Sequence, residues 1–80
     1  MNESSRTVVA RWESRFGKHW VELEISTLSN GSSFYGFSSP GHTGTLADPT
    51  ETEAIEEMQR RVDRGWFQPD NAKHPLKRVK

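Results

Sequence analysis

Apolar and polar residues alternate along three short stretches of this chain, and this alternation constrains the fold more than any other feature. The stretches are residues 7–13, 19–26 and 33–37. A period of two puts every second side chain on the same face of a β-strand, so the pattern predicts a sheet with one buried face. An amphipathic pattern beginning near Asp48 predicts one α-helix that covers this face. The expected fold is therefore α+β in two layers, a three-stranded antiparallel meander followed by a C-terminal helix (β-β-β-α).

The first two stretches can form a hairpin through residues 15–18, where Gly17 relieves the turn. The expected cross-strand pairs are Trp12 with Val21, Ala10 with Leu23, and Val8 with Ile25. This register puts all six apolar side chains on one face. A shift of one residue would turn the whole set to the other face, so burial of the core selects the register.

Asn30-Gly31 is the strongest hairpin signal in the chain, because both central residues of a type I′ turn need positive φ. A two-residue turn here pairs Thr27 with Phe34 and Glu24 with Phe37, and it makes the second stretch the central strand. Phe34 then joins the core. The face away from the helix would carry Val9, Arg11, Glu13, Trp20, Glu22, Glu24, Tyr35 and Phe37, with Arg11 and Glu22 as a surface ion pair.

The helix has start and stop signals at both ends. Asp48 is the expected N-cap, with Pro49 at the first helical position, Glu51 completing a capping box, and Gly65 ending the helix. The apolar stripe is Ala54, Ile55, Met58 and Val62, and the expected ion pairs are Glu56–Arg60 and Glu57–Arg61. Because these charges are explained by helix stability, we expect no functional role for the helix.

Length and composition indicate one small domain. The 80 residues have only 31% apolar content, which allows one thin core. We expect this domain to cover residues 1–67 and to be followed by an extended or disordered basic tail over residues 68–80. The chain has no cysteine, no apolar run of membrane-spanning length and no signal-peptide character at residues 1–6, so we expect a soluble, cytoplasmic protein.

The sequence offers little catalytic chemistry. The loop of residues 38–47 contains His42, but it matches no phosphate-binding motif, and Ser39 and His42 have no third group to orient them. We interpret it as a polar crossover from the last strand to the helix. The three histidines lack metal-ligand spacing. The sequence therefore predicts a protein that is not an enzyme and that uses no cofactor and no metal.

The aromatic sheet face favours a protein-binding module, because aromatic and Arg side chains are common interface anchors. The expected partner-binding residues are Arg11, Trp20, Glu22, Tyr35 and Phe37. The exposed edge of residues 33–37 could add a strand from a partner or from a second copy in a homodimer. The most concrete form of this hypothesis is a phage- or plasmid-encoded inhibitor, similar in size and style to anti-CRISPR proteins, or an accessory regulator.

A nucleic-acid-binding domain is the alternative. The β-β-β-α order over residues 7–65 is similar in layout to the DNA-binding domains of the AP2 family and to integrase arm-binding domains. That resemblance implies that the sheet face away from the helix enters the major groove, although Glu22 and Glu24 occupy this face here. The net charge is zero, and the basic excess lies in the tail. The candidate nucleic-acid contacts are Arg11, Arg15, Lys18, Lys73, Lys77, Arg78 and Lys80.

Overall fold

The strands of this protein form one antiparallel sheet, and a single α-helix packs on it, in a computed structural model that describes residues 5–47 and 50–80. The described elements are β1 (Ser5–Glu13), a 3₁₀ turn (Arg15–Gly17), β2 (Trp20–Thr27), β3 (Ser33–Ser39), β4 (His42–Leu46), α1 (Glu51–Asp63) and β5 (Lys77–Arg78). The strand order is β4-β3-β2-β1-β5, so β2 is central as expected. The α+β class is confirmed, but the sheet has five described strands, and the prediction of three was wrong.

The segment interpreted as a crossover loop is largely the fourth strand. β4 pairs with β3 from Tyr35↔Leu46 to Ser39↔His42, and Gly41 (φ 81°) turns the chain between them. The strand has little apolar alternation, and Leu46 is its one buried residue. Its backbone also lies close to β3, since a Cβ on Gly36 would meet the Gly44 carbonyl oxygen at 2.8 Å. Since β4 pairs with β3 from Tyr35 onward, residues 35–37 of the edge predicted to be free at residues 33–37 are covered.

The first hairpin has the expected register at its closed end and a bulge farther out. Trp12↔Val21 and Ala10↔Leu23 are confirmed, whereas Val8 lies opposite Glu24 and not opposite Ile25. The register shifts between Val8 and Ala10, so the two valines exchange faces. Val9 packs against the core and Val8 lies on the other face.

The second hairpin has a register one residue away from the predicted one. Its pairs include Ile25↔Tyr35, Leu23↔Phe37 and Ser26↔Phe34. The turn is not a two-residue type I′ turn: the Gly31 N–H donates to the Leu28 carbonyl and the Leu28 N–H donates to the Ser32 carbonyl. This is a three-residue loop with Gly31 left-handed (φ 89°), and the extra residue inverts all of β3.

The inversion moves the aromatic residues of β3 between faces. Tyr35 and Phe37 pack against the core on the helix side of the sheet, and Phe34 lies 39% exposed on the other side. The predicted placement of all three rings was therefore wrong. Trp20 alone among the predicted aromatic anchors lies on the face away from the helix, opposite Glu13.

The helix is capped two residues later than predicted. The Thr50 side chain accepts a hydrogen bond from the Glu53 N–H (3.2 Å) and is the N-cap, whereas Asp48 and Pro49 lie outside the described residues. Glu57 pairs with both Arg61 (2.7 Å) and Arg60 (2.6 Å). These hydrogen bonds, the one from Arg60 first, lower the pKa of the Glu57 carboxyl group. The expected left-handed stop at Gly65 is confirmed (φ 78°).

The core joins the sheet, the helix and the C-terminal segment. Its buried apolar residues are Ala10, Trp12, Val21, Leu23, Leu46, Ala54, Met58, Val62 and Leu76. The Trp12 indole N–H donates to Gln59 Oε1 (2.8 Å), which connects β1 to α1. Leu76 comes from the segment predicted to be a tail, and the Val79 N–H donates to the Arg11 carbonyl (2.8 Å) beside β5. Residues 76–79 are therefore part of the folded sheet.

Candidate functional site

Three regions of the described chain combine cationic and aromatic side chains. The first is the sheet face away from the helix, here called the outer sheet face. Arg11 lies at its centre. Its Nε donates to Glu13 Oε1 (2.6 Å), its Nη1 lies 2.9 Å from Glu22 Oε2, and its guanidinium lies 4.9 Å from the centre of the Trp20 ring. The hydrogen bond to Glu13, with that to Glu22, raises the pKa of Arg11. The predicted Arg11–Glu22 pair is confirmed.

Glu24, another carboxylate of this face, also has partners within the fold. Glu24 is nearly buried, accepts a hydrogen bond from the Ser38 hydroxyl (3.3 Å), and lies 3.8 Å from Arg6. Of the five predicted partner-binding residues, Arg11, Trp20 and Glu22 lie together here, and Tyr35 and Phe37 lie on the helix side. The charged side chains of the outer sheet face are therefore paired with one another, the Trp20 ring beside Arg11 is half-buried, and Phe34 is an exposed ring on the same face.

The second region, here called the basic end, lies where the β1–β2 loop meets the C-terminal segment. It comprises Arg15, Phe16, Lys18, Lys73 and Lys77. Two adjoining clefts of about 490 and 420 Å³ share Ser14, Arg15 and His74 in their walls. Lys18 and Lys73 line the first cleft and Lys77 lines the second, so the fold brings together cations that lie about 60 residues apart in the sequence.

Local hydrogen bonds hold the loop side of the basic end. Ser14 is nearly buried, and its N–H donates to the His19 carbonyl (2.9 Å) while its hydroxyl oxygen accepts from the His19 N–H (3.0 Å). On the other side, Gln68 Nε2 donates to the His74 carbonyl (2.6 Å), and Leu76 anchors the following residues in the core. Both walls are thus fixed by the fold before any ligand binds.

Phe16 combines the highest side-chain exposure among the large apolar residues with an unfavourable backbone conformation. It is 84% exposed and has φ 71° and ψ 4°. The Gly17 N–H donates to the Ser14 carbonyl (2.9 Å), so Phe16 occupies the third position of a tight turn, where glycine is usual. Such a conformation costs about 1–3 kcal/mol in a residue other than glycine. The Arg15 guanidinium lies 5.0 Å from its ring, and the His74 ring meets it edge to face at 5.8 Å.

The cations of the basic end differ from Arg11 in their surroundings. Arg15, Lys18, Lys73 and Lys77 are all exposed. Within residues 5–47 and 50–80, none of them forms an ion pair with a carboxylate. Glu13 lines the second cleft but is engaged by Arg11, and Asp70 lies in the wall of a neighbouring cleft that also includes Lys73. The positive charge here is available to an external anion.

The sequence predicted four of these residues as nucleic-acid contacts without predicting that they meet. The others lie elsewhere: Arg11 is in the outer-face network, and Arg78 lies opposite Trp12 and donates to the Lys80 carbonyl (2.8 Å). Phe16 was missed. Its only sequence signal is a bulky aromatic residue directly before the glycine of a predicted turn.

The candidate catalytic pair is not arranged for proton transfer. Ser39 Oγ lies 3.5 Å from the His42 backbone carbonyl, which is its hydrogen-bond acceptor. No group of three or more His, Cys, Asp or Glu side chains suited to a metal ion occurs in the described part of the chain. The described residues also include no helix with the length and apolar content needed to cross a membrane.

A third cluster lies at the C-terminal end of α1. The Arg61 guanidinium is 5.0 Å from the Trp66 ring and 5.5 Å from the Phe37 ring, and Phe67 meets Phe37 edge to face at 5.5 Å. Trp66 is 56% exposed and borders a cleft of about 470 Å³ with Lys18 and His42. This cluster adjoins the basic end on its helix side.

Comparison of the chain with protein-family models, with curated proteins and with solved structures found no match.

Proposed function

We propose that this protein is a nucleic-acid-binding domain and that its contact surface is the basic end. The observation that carries the proposal is the meeting of Arg15, Lys18, Lys73 and Lys77 around two adjoining clefts without carboxylate partners among the described residues. Nucleic-acid affinity comes largely from cations that neutralise phosphates, and an exposed aromatic ring among those cations is typical of nucleic-acid surfaces. A cytoplasmic location, where nucleic acid is accessible, belongs to this proposal.

The outer sheet face is less suited to this function, because its cation is already paired. A cation that already has two carboxylate partners gives up their interaction when it binds a phosphate, so its net gain is small. Arg11 is such a cation, and the carboxylates of Glu13, Glu22 and Glu24 on that face would repel a phosphate backbone. Groove binding through the sheet, as the layout resemblance implies, therefore has less support than binding at the end of the molecule.

The charge count sets an expected salt dependence. Four cations that each neutralise one phosphate of a single strand predict a slope of log affinity against log salt of about −3. Affinity should then fall about fifty-fold between about 50 and 200 mM salt. Fluorescence anisotropy with a labelled oligonucleotide of about 15 nucleotides measures this slope directly.

A pair of matched variants tests the location of the surface. Lys18→Gln with Lys73→Gln removes two cations from the basic end and should reduce the slope by about 1.4. Arg6→Gln removes a cation from the other end of β1 and should leave the slope unchanged. Absence of binding at about 50 mM salt, or equal effects of the two changes, would contradict the proposal.

The third cluster favours a second candidate, a protein-binding module that uses Trp66 as an anchor. An exposed indole beside Arg61, with Lys18 nearby, suits an acidic protein surface. A phage- or plasmid-encoded inhibitor or accessory regulator remains the concrete form of this candidate. Trp66→Ala should then abolish capture of a protein partner and leave oligonucleotide binding unchanged.

A further inference from the structure

We infer that Phe16 is a stacking platform for an unpaired base, so that the basic end binds single-stranded nucleic acid in preference to a duplex; this inference rests on the proposed function. Phe16 has both the left-handed backbone and the exposed ring that folding alone disfavours. Glycine at this position would remove the backbone strain and the exposed apolar surface together. A bulky ring at a strained turn is typical of a residue with a binding role.

The internal contacts of the ring do not account for its position. The edge-to-face contact with His74 and the guanidinium of Arg15 leave the side chain 84% exposed, so little of the ring area is buried by the fold. An aromatic residue that served the core or closed the turn would instead be covered, as Trp12 is. The ring is held at the rim of a cleft with most of its surface open to a ligand.

The cleft below the ring has the size and the side chains that a nucleotide needs. Its volume of about 490 Å³ lies within the range of small-molecule sites. Lys18 and Lys73 line it and can contact the phosphates on either side of a stacked base, and the amide of Asn71 can hydrogen-bond to a base edge. These contacts do not select one base, so we expect little sequence specificity.

The geometry also explains the expected preference for single strands. In a duplex the base faces are stacked on one another and cannot reach a ring at the end of a hairpin, whereas an unpaired base can. Duplex binding would then use the cations alone. The duplex should therefore bind more weakly than a single strand of equal length, and changes at Phe16 should not affect it.

The test compares Phe16→Gly and Phe16→Trp with the wild-type protein in anisotropy titrations with a dT oligonucleotide of about 15 nucleotides and with a duplex of equal length. Phe16→Gly should weaken single-strand binding between about five-fold and one-hundred-fold, with an unchanged salt slope because no charge is altered. Phe16→Trp should retain the affinity. Phe16→Gly should not lower the melting temperature, because the released backbone strain offsets the greater unfolded-state entropy of glycine, so its loss of affinity cannot be attributed to unfolding.

Each outcome separates the two proposals. If the wild-type protein binds the oligonucleotide with the expected salt slope and Phe16→Gly binds equally well, the stacking inference is wrong while the proposed function stands. If neither oligonucleotide binds, both are wrong. Polyglutamate serves as a third probe: if it binds as tightly as the dT strand and Phe16→Gly has no effect on either, the basic end recognises an acidic protein through charge alone.

Discussion

The outer sheet face and the basic end both contain a cation beside an aromatic ring, but they differ in ion pairing and in the exposure of the side chains. On the sheet face Arg11 has two carboxylate partners within 2.9 Å and lies over Trp20. At the basic end Arg15, Lys18 and Lys73 line one cleft together with Phe16, and Lys77 lines the adjoining cleft. All four cations are exposed, and no described carboxylate pairs with them. The comparison shows that residue types alone do not identify a binding surface. What matters is whether the fold has already neutralised the charge and covered the ring.

Both regions contact the C-terminal segment. Weakening the packing of this segment in the core is expected to lower the free energy of unfolding more than any other change proposed here. Leu76→Ala deletes a buried side chain that is 7% exposed, and it should reduce the free energy of unfolding by about 2–5 kcal/mol. Urea denaturation measures the loss. Val79→Ala, a change at a 58% exposed position in the same segment, is the control and should cost less than about 0.5 kcal/mol. Equal effects of the two changes would mean that the segment does not contribute to the core.

Removal of Arg11 should separate stability from binding. Arg11→Met leaves Glu13 and Glu22 without their shared partner and should destabilise the fold by about 1–2 kcal/mol. This value is smaller than that for buried charges because all three side chains are partly exposed. Oligonucleotide affinity should stay within about two-fold of the wild-type value. Arg6→Met removes a weaker and more exposed pair and serves as the control. A large loss of affinity in Arg11→Met would move the binding surface back to the sheet.

For Lys77 we expect the opposite result, a loss of binding with little change in stability. Lys77→Gln should change the free energy of unfolding by less than about 0.5 kcal/mol, because the side chain is exposed and has no described ion-pair partner. It should reduce the magnitude of the salt slope for single strands by about 0.7. The same titration with Arg78→Gln, one residue along the same strand, gives the matched control. A larger effect for Arg78 would place the phosphates on the other side of β5.

The smallest expected effect on stability comes from the ion pairs of Glu57 with Arg60 and Arg61 on the helix. Hydrogen bonds from Arg60 and then from Arg61 lower the pKa of Glu57, so the native state favours the ionised carboxylate. The resulting stability is fully present above the ordinary pKa of 4.5 and is lost as the pH falls through the lowered value. Urea midpoints of the wild-type protein and of Glu57→Gln should therefore differ near neutral pH and converge in acid. A difference that persists in acid would mean that the carboxylate is not responsible.

The sequence predicted the parts of the fold that depend on strong local patterns. The Trp12↔Val21 register follows from strict alternation, and the end of the helix at Gly65 follows from its need for positive φ. The register of β3 depended on one loop residue, because a three-residue turn and a two-residue turn both accept Asn30-Gly31. Because of that one extra loop residue, Phe34 lies on the outer sheet face and Tyr35 and Phe37 lie on the helix side, which is the reverse of the prediction.

The elements that were missed have weak local signals. β4 is polar and glycine-containing, and its pairing depends on the close approach of Gly36 and Gly44 across the strands. β5 is two residues long and is held through Leu76 and the backbone of Arg11. The second cleft of the basic end includes Lys77 of that strand, so it forms only when the strand pairs with β1. Its cations could therefore be named from the sequence, but their proximity could not be predicted.

Amide chemical-shift changes in a ¹H–¹⁵N spectrum, recorded as a dT oligonucleotide is added, test the central claim most directly. If the basic end binds the strand, the changes concentrate in the β1–β2 loop around Phe16 and in the C-terminal segment around Lys73 and His74. The amide signals of Trp20 and Glu22 should change little. Changes that concentrate on the strands of the outer sheet face, or that spread evenly over the chain, would contradict the central claim.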